Sequence, residues 1–489
     1  MTAHASHHSS ANPHRWRALG VLLLAGFLSL LDTSIVVNGL ATVQRDLGAG
    51  YAQIQLVLAG YSVAYGMLLI TGGRLGDIYG RKRLFVWGLA GFVLASALCG
   101  LSATAEMLIA SRVLQGLCAG LMFPQISSLT QVMFGLEERP KAFGLQGAMV
   151  GLGIVAGPLL GGSLIGADLL GTSWRPIFLI NVPLGLLILW LALRLLPESR
   201  SQTTLAMDWM GVAVSSLGLF LLTYPLVLGR ELGWPRWSLW MLGAGGLVLA
   251  IFIVQQAGLT RRGGSALLDL SLFSQPSFRI GVLIGFVFQT GVLSFFVSMA
   301  LFLQNGLGYS AIGSALALLP FQLSIAVSSL NSARVSGWLK SRTLNLGAGL
   351  LLVSMGLIIF IVRQAGTGLN GFELFPALVL GGLGFGLIVA PLQNLVLRQV
   401  PPQSAGSASG ILATLNQVGS AFGVAVMGII LLSQLGQQPI TERFVLAIQS
   451  SLWYQMIVFG LVFGLSLLLR RPTPATKGIE SKRRSADEP

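Results

Sequence analysis

Long apolar runs separated by short polar breaks recur from residue 18 to residue 469. They predict fourteen helices, at 18–40, 52–71, 85–102, 107–131, 142–167, 176–197, 208–228, 239–257, 278–303, 311–333, 344–362, 373–398, 407–432 and 451–469. Each run is of the order of the 20 residues that cross a hydrocarbon core of ~30 Å. The runs are continuous rather than alternating, which excludes a barrel of strands. The expected class is an all-α polytopic membrane protein.

Composition sharpens this reading. Only 9% of the 489 residues are charged and 54% are hydrophobic, against about 25% charged in a soluble domain. The first 17 residues, MTAHASHHSSANPHRWR, are polar and then basic. The apolar run after them is too long for a cleaved signal and has no evident cleavage site, so it reads as the first span. All four histidines (His4, His7, His8 and His14) fall in this stretch; it reads as a disordered tail rather than a metal site. Cys99 and Cys118 lie inside apolar runs and read as packing residues. No metal and no cofactor is expected.

The net charge of +14 raises the question of nucleic acid, and its distribution answers it. With the N-terminus in the cytoplasm, six Lys and Arg fall in outer loops (Arg45, Arg175, Arg230, Arg236, Arg363 and Arg443), Arg112 falls in a span, and the other 23 of the 30 are inside. Positive residues inside set orientation. Both termini are therefore expected in the cytoplasm, and the excess charge is a topology signal rather than a nucleic-acid interface. The basic tail over 471–489 can touch anionic lipid.

Of sixteen acids, only Asp32 is left at depth. A charge at the centre of a spanning helix costs about 2.5–3.5 kcal/mol on insertion scales and usually faces a bundle interior. At 1.5 Å per residue, Asp32 lies roughly 12 Å below the outer boundary and Arg112 roughly 8 Å. The two can form an ion pair or share a water. Arg112, Gln115, Ala119 and Phe123 fall on one helical stripe. Asp32 and Arg112 either hold two helices together or couple to protons, the carboxyl loading and releasing one as its surroundings change. Glu106 and Glu373, at helix ends, are weaker carriers.

Two further motifs stand out. The loop GRLGDIYGRKRLF holds Gly73, Gly76 and Gly80, which allow a tight turn. Its Asp77 and Arg81 can pair if the segment is helical, or Asp77 can face a helix N-terminus. In GLQGAMVGLGIVAGPLLGG, Gly153, Gly157 and Gly161 recur every four residues and admit a close helix, and Pro158 is expected to kink its own helix. A nucleotide-binding reading of these glycines fails for want of a preceding strand and a P-loop lysine.

Together LDTSIVVNGL, GRLGDIYGRKRLF, ASRVLQGLCAG, GLGIVAGPLLGG and WRPIFLINVPLG resemble the major facilitator superfamily, in its fourteen-helix drug:proton antiporter branch. A second copy of the loop motif, SARVSGWLKSRTLNLG, is degenerate and lacks the aspartate. The C-terminal half has no deep acid of the kind several exporters of dications carry, which argues against dicationic substrates. The resemblance implies a six-helix bundle over 18–198, two extra transmembrane helices with their linkers over 199–265, and a second six-helix bundle over 266–470, between cytoplasmic tails at 1–17 and 471–489.

The function so implied is a proton-coupled antiporter that exports amphiphilic or cationic drugs across a bacterial inner membrane by alternating access. Substrate enters from the cytoplasm or inner leaflet. The alternative is a narrow exporter of one metabolite, siderophore or antibiotic. Tyr61, Tyr65, Gln115, Phe123, Gln289, Gln322, Gln393, Asn394, Asn416 and Gln417 are expected to line the cavity, the rival being ordinary interhelical hydrogen bonding. An enzyme is not expected. The spans offer no histidine or lysine base for a serine protease and no second deep carboxylate for an aspartic one. Expected partners are a small-molecule substrate, protons and membrane lipid, the protein itself being monomeric.

Overall fold

A computed structural model describes residues 14–167, 172–201, 206–229, 232–262, 264–340, 342–435 and 441–469. His4, His7, His8 and the basic tail over 471–489 lie outside the described residues. Within them are fourteen helices long and apolar enough to cross a membrane, and no strand. They are α1 (Arg15–Leu47), α2 (Tyr51–Tyr79), α3 (Arg81–Gly100), α4 (Ala105–Met133), α5 (Arg139–Ala167), α6 (Pro176–Leu195, with a turn at Ile180), α7 (Trp209–Leu228), α8 (Arg236–Arg261), α9 (Pro276–Gly306), α10 (Ala311–Leu339), α11 (Arg342–Ala365), α12 (Phe375–Leu397), α13 (Ala405–Leu435) and α14 (Thr441–Leu467). Fourteen crossings return the chain to the face it left, here termed the terminal face.

Several helices overrun the lengths that hydropathy suggests. α1 continues through Gln44, Arg45 and Asp46 to Leu47, where Gly48 takes a left-handed φ of 60° and its N–H closes on the Gln44 carbonyl. That is a glycine C-cap, so the helix stops at the cap and not where apolar residues end. α14 likewise begins ten residues before the apolar run, at Thr441.

The apolar cores follow the two halves, except that the largest also takes in Ile70 of α2, Phe143 of α5, Leu219 of α7 and Phe252 of α8. One set forms around Phe85, Phe92, Met122 and Ile188, and another around Ile35, Leu108, Trp174 and Phe178. The largest unites α9 to α14 through Phe288, Phe295, Phe321, Phe385 and Ile388. Lipid is as apolar as leucine, so close approach between helices depends on small residues. Accordingly, a Cβ on Gly153 would meet the Leu30 side chain at 2.9 Å, and one on Gly157 would run into Ser34 of α1. The opposite face of α5 does the same against α10: a Cβ on Gly144 would lie 2.6 Å from the Ser329 carbonyl, and one on Gly151 2.7 Å from that of Gln322. Gly161 is buried, and Pro158 sits inside an unbroken helix.

α5 thus joins the halves on one side. On the other, α2 meets α13, where Gly73 and Gly406 stack backbone on backbone. The extra pair packs outside this second seam. Ser216 of α7 donates to the Met67 carbonyl of α2 at 3.4 Å, and Leu226 packs with Ala421 and Ala425 of α13. α8 is the most outward helix: Trp240, Leu247 and Val254, one stripe, are 80%, 63% and 73% exposed, as suits a lipid-facing surface.

Candidate functional site

Asp32 sits on α1 with none of its surface exposed. α4 brings Arg112 and Gln115, three residues apart and so on one face. Arg112 Nη1 donates to Asp32 Oδ2 at 2.6 Å, and Gln115 Nε2 donates to Oδ1 at 2.9 Å. Asn181 of α6 adds a third bond, Nδ2 to Oδ1 at 2.7 Å, and a fourth contact to Ser96 Oγ at 3.0 Å. Every partner of the carboxylate is a donor, so the arrangement suits the ionised acid. The ion pair expected from helix depth is therefore formed, without an intervening water.

Arg112 is fixed on its remaining sides. Its Nη1 also donates to Gln115 Oε1 at 2.6 Å and its Nε to the Val57 carbonyl at 3.3 Å. Its guanidinium carbon lies 4.3 Å from the centre of the Tyr61 ring, a cation–π distance. Tyr61 shares a hydrogen bond with Ser29 Oγ and stacks on Tyr65, at 6.1 Å between ring centres. Tyr65 meets Phe123 edge-on at 5.9 Å. A column of charge and aromatic faces therefore runs Asp32, Arg112, Tyr61, Tyr65, Phe123 within the first half.

A buried pair is costly to break from one side, at about 3–5 kcal/mol, because a charge is left without its partner. Arg112→Leu is expected to lower stability by that order. The double substitution Asp32→Asn with Arg112→Leu is expected to recover most of the loss. Thermal unfolding in detergent measures both.

Of the residues expected to line a cavity, Tyr61, Tyr65, Gln115 and Phe123 join this column. Gln115 is fully buried and committed to Asp32 and Arg112. The others lie on the second half. Gln289 of α9 donates to Ser420 Oγ at 3.4 Å, and Gln417 of α13 packs beside Gly66 of α2. Asn394 is half-buried on α12. Gln322 Oε1, Gln393 Oε1 and Asn416 Oδ1 are buried acceptors without a hydrogen-bond partner among the described residues. Asn181, Ser96 and Ser29 were not singled out in the sequence. Their signal is the one that marked Gln115, a polar side chain inside an apolar run.

The glycine-rich loop forms a second constellation at the terminal face. Asp77 and Arg81 pair at 2.6 Å, both buried. They do so across a turn and not along one helix, because α2 ends at Tyr79 and Gly80 takes φ of 108°. That backbone favours glycine. Asp77 also accepts the N–H groups of Gly406 at 2.9 Å and Ser407 at 2.8 Å. These are the first residues of α13, where unpaired N–H groups and the helix dipole favour an anion. Arg81 Nη2 reaches the Pro402 carbonyl at 2.5 Å. Nearby, Ser128 bonds the Ala405 carbonyl, and Gln131 bonds those of Leu397 and Val400. Side-chain bonds between the halves thus gather at the terminal face and hold it shut.

At the opposite face, outside the spans, Trp174 Nε1 and Arg175 Nη1 donate to Asp46 Oδ2 at 2.9 and 2.8 Å. The tryptophan bond first, and the arginine bond second, hold the Asp46 carboxyl below its ordinary value of 3.8. A carboxyl so lowered stabilises the fold above its unfolded value and stops doing so as pH falls through the folded one. Asp46→Asn is expected to cost no more than about 1 kcal/mol, the site being partly exposed. In thermal unfolding the difference should be full above the unfolded value and fade as pH falls below it.

The chain was compared with known proteins. It is 42% identical to the probable actinorhodin transporter of Streptomyces coelicolor over 87% of this chain and 74% of that one. It is 35% identical to the puromycin resistance protein of Streptomyces alboniger over 85% and 82%. With the multidrug resistance protein Stp of Mycobacterium tuberculosis it shares 31% identity over 86% and 76%. Among solved structures, the proton:xylose symporter XylE superposes with a TM-score of 0.67 at 14% identity, over 94% of this chain and 96% of that one. The human organic anion transporter MFSD10 does so with a TM-score of 0.64 at 17% identity, over 93% and 99%. Residues 22–424 match the Major Facilitator Superfamily. With fourteen spans that fit its fourteen-helix branch, the chain belongs to the Major Facilitator Superfamily and is a transporter, not an enzyme.

Proposed function

We propose that the protein exports amphiphilic, antibiotic-like molecules from the cytoplasm in exchange for protons, by alternating access across a bacterial inner membrane. The observation that carries this reading is the fully buried Asp32, held only by donors on α4 and α6. A proton taken up there cancels the attraction to Arg112 and frees α1 from α4. Proton release restores it. The carboxyl is the titrating group, Arg112 its internal competitor, and the Tyr61–Tyr65–Phe123 column an apolar aromatic wall for the cargo.

Orientation follows from the positive residues, which put the terminal face in the cytoplasm. The Asp77–α13 contact then closes the inner side, and substrate is released outward. The export direction rests on relatives named for antibiotic transport or resistance.

Two of those names specify one compound, actinorhodin and puromycin. That favours a second reading, a narrow exporter. A resistance and dye-efflux panel in cells making the protein, with and without a protonophore, decides between them. Protonophore-sensitive export of several unrelated compounds supports the broad pump, and of one scaffold only, the narrow exporter. Export that ignores the protonophore overturns proton coupling.

A further inference from the structure

Both linkers of the extra helix pair run into the terminal-face contact. The outgoing linker, after α6, lies along the Asp77–Arg81 turn. Arg81 N–H donates to the Ser199 carbonyl at 2.8 Å, and Ser201 N–H donates to the Asp77 carbonyl at 2.8 Å. Arg81 Nη1 adds a bond to Ser199 Oγ at 2.9 Å. This end of the pair is fastened to the first half.

The return linker, before α9, is fastened to the second. Asp269 Oδ1 accepts the N–H and hydroxyl of Ser271, and its Oδ2 accepts Ser404 Oγ at 3.2 Å. Ser404 closes the short turn Pro402–Ser404 that leads into α13. The same turn presents the Pro402 carbonyl to Arg81. One small turn is therefore gripped by an arginine of the first half and an aspartate of the return linker.

Among the described residues, α7 and α8 are tied to each other and to the return linker. Buried Gln256 of α8 donates to Asp208, which caps α7, and accepts the N–H of Leu268 in the return linker. α7 itself touches α2 and α13 across the seam. Arg74 of α2 completes the picture. It is 6% exposed, its Nε has no hydrogen-bond partner among the described residues, and it lies in the field of both Asp77 and Asp269. A buried guanidinium is stabilised by carboxylates near it.

We propose that the extra pair is a strap across the terminal-face gate, and that Asp269 is the positioning residue through which the strap holds the Pro402–Ser404 turn against Arg81. Parting of the halves pulls the Ser199–Ser201 linker with one half and the Asp269 linker with the other. Opening then has to slide α7 along the α2–α13 seam. The strap biases the transporter toward the state closed at this face. This rests on the alternating-access reading, since a strap matters only where a gate opens.

The test is the reactivity of one cysteine in the full chain, reconstituted in lipid nanodiscs. Cys99→Ala and Cys118→Ala remove the native thiols, and Ser407→Cys places a fully buried reporter at the start of α13. A polar maleimide labels it only when the gate opens. Losing a hydrogen bond to a charged group is expected to raise the open population about tenfold. Labelling should therefore quicken about tenfold in Asp269→Ala, and less in Asp269→Asn, which keeps an acceptor for Ser404. Asp269→Glu should restore slow labelling. Ser404→Ala removes the same bond from the other side and serves if Asp269→Ala folds poorly. Asp77→Asn is the control for the gate itself. If Asp77→Asn labels fast while Asp269→Ala and Ser404→Ala label at the parent rate, the strap is refuted and the gate stands. If none labels faster, the gate reading falls and the strap with it. A merely structural Asp269 would lower the unfolding temperature and leave the labelling rate alone.

Discussion

Vesicles containing Asp32→Asn protein should show no substrate movement when a pH gradient is imposed, whereas the parent protein moves substrate against its own gradient. The substitution is nearly isosteric. Asn retains one oxygen that accepts from Arg112, gives up the charge and the titration, and turns its amide nitrogen toward the donors Gln115 and Asn181, a cost in stability that leaves the shape of the site unchanged. The fold should survive, and the variant should still exchange labelled for unlabelled substrate when no gradient is applied. That pairing of outcomes is what separates coupling from structure. If Asp32 served only to pin α1 to α4, its loss would reduce exchange and driven transport together. If driven transport stayed at the parent rate, another group would have to carry the proton. Within the described spans the other deep titratable candidates are few, since Glu106 and Glu373 sit in the first turns of their helical segments.

The second large effect is expected at Gly73. Its added Cβ would fall on the backbone of Gly406, and 3.2 Å from the Gly410 Cα, with no flexible side chain to give way. Overpacking of this kind costs about 1–3 kcal/mol, and here it acts on one state only, the one with the terminal face closed. Gly73→Val should therefore shift the population toward an open terminal face by about ten- to a hundredfold. Turnover should collapse, while each half, packed on its own core, stays folded. Substrate binding measured from the terminal face should be retained. The Ser407→Cys reporter should label faster in this variant too. Normal turnover in Gly73→Val would mean that the seam between α2 and α13 never has to close this tightly.

Both results bear on the same cycle from opposite ends. Asp32 is buried midway along α1, and Asp77 lies at the terminal face on α2. Each carboxylate is satisfied by groups from elements far away in sequence. The first is held by two other helices of its own half, the second by Arg81 across its own turn and by the start of α13 in the other half. In the proposed cycle, a proton that loosens the first set changes how α1 sits against α4 and α5. Gly153 and Gly157 of α5 touch α1, and Gly144 and Gly151 of the same helix touch α10, where the halves meet.

Much of this was legible in the chain as written. Fourteen crossings follow from fourteen apolar runs, because inserting a run into hydrocarbon is decided locally, residue by residue. The depth of Asp32 and its match to Arg112 follow from helical rise alone. The Asp77 loop announced a turn through its glycines, and an anion near a helix N-terminus through its charge. The identity of that helix was not legible: Gly406 is 329 residues from Asp77. Nor was Asn181, 149 residues from Asp32, although a lone amide in an apolar run was the available sign. The strap was hidden for the same reason, as Ser199, Asp269 and Ser404 are ordinary linker residues until the fold brings them to one turn. Hydropathy, spacing and charge bias are properties of neighbours along the chain, and they determined how many rods cross and which of them carry a charge that must be answered. Which donor answers it depends on close packing between rods far apart in sequence, and only the tertiary structure decided that.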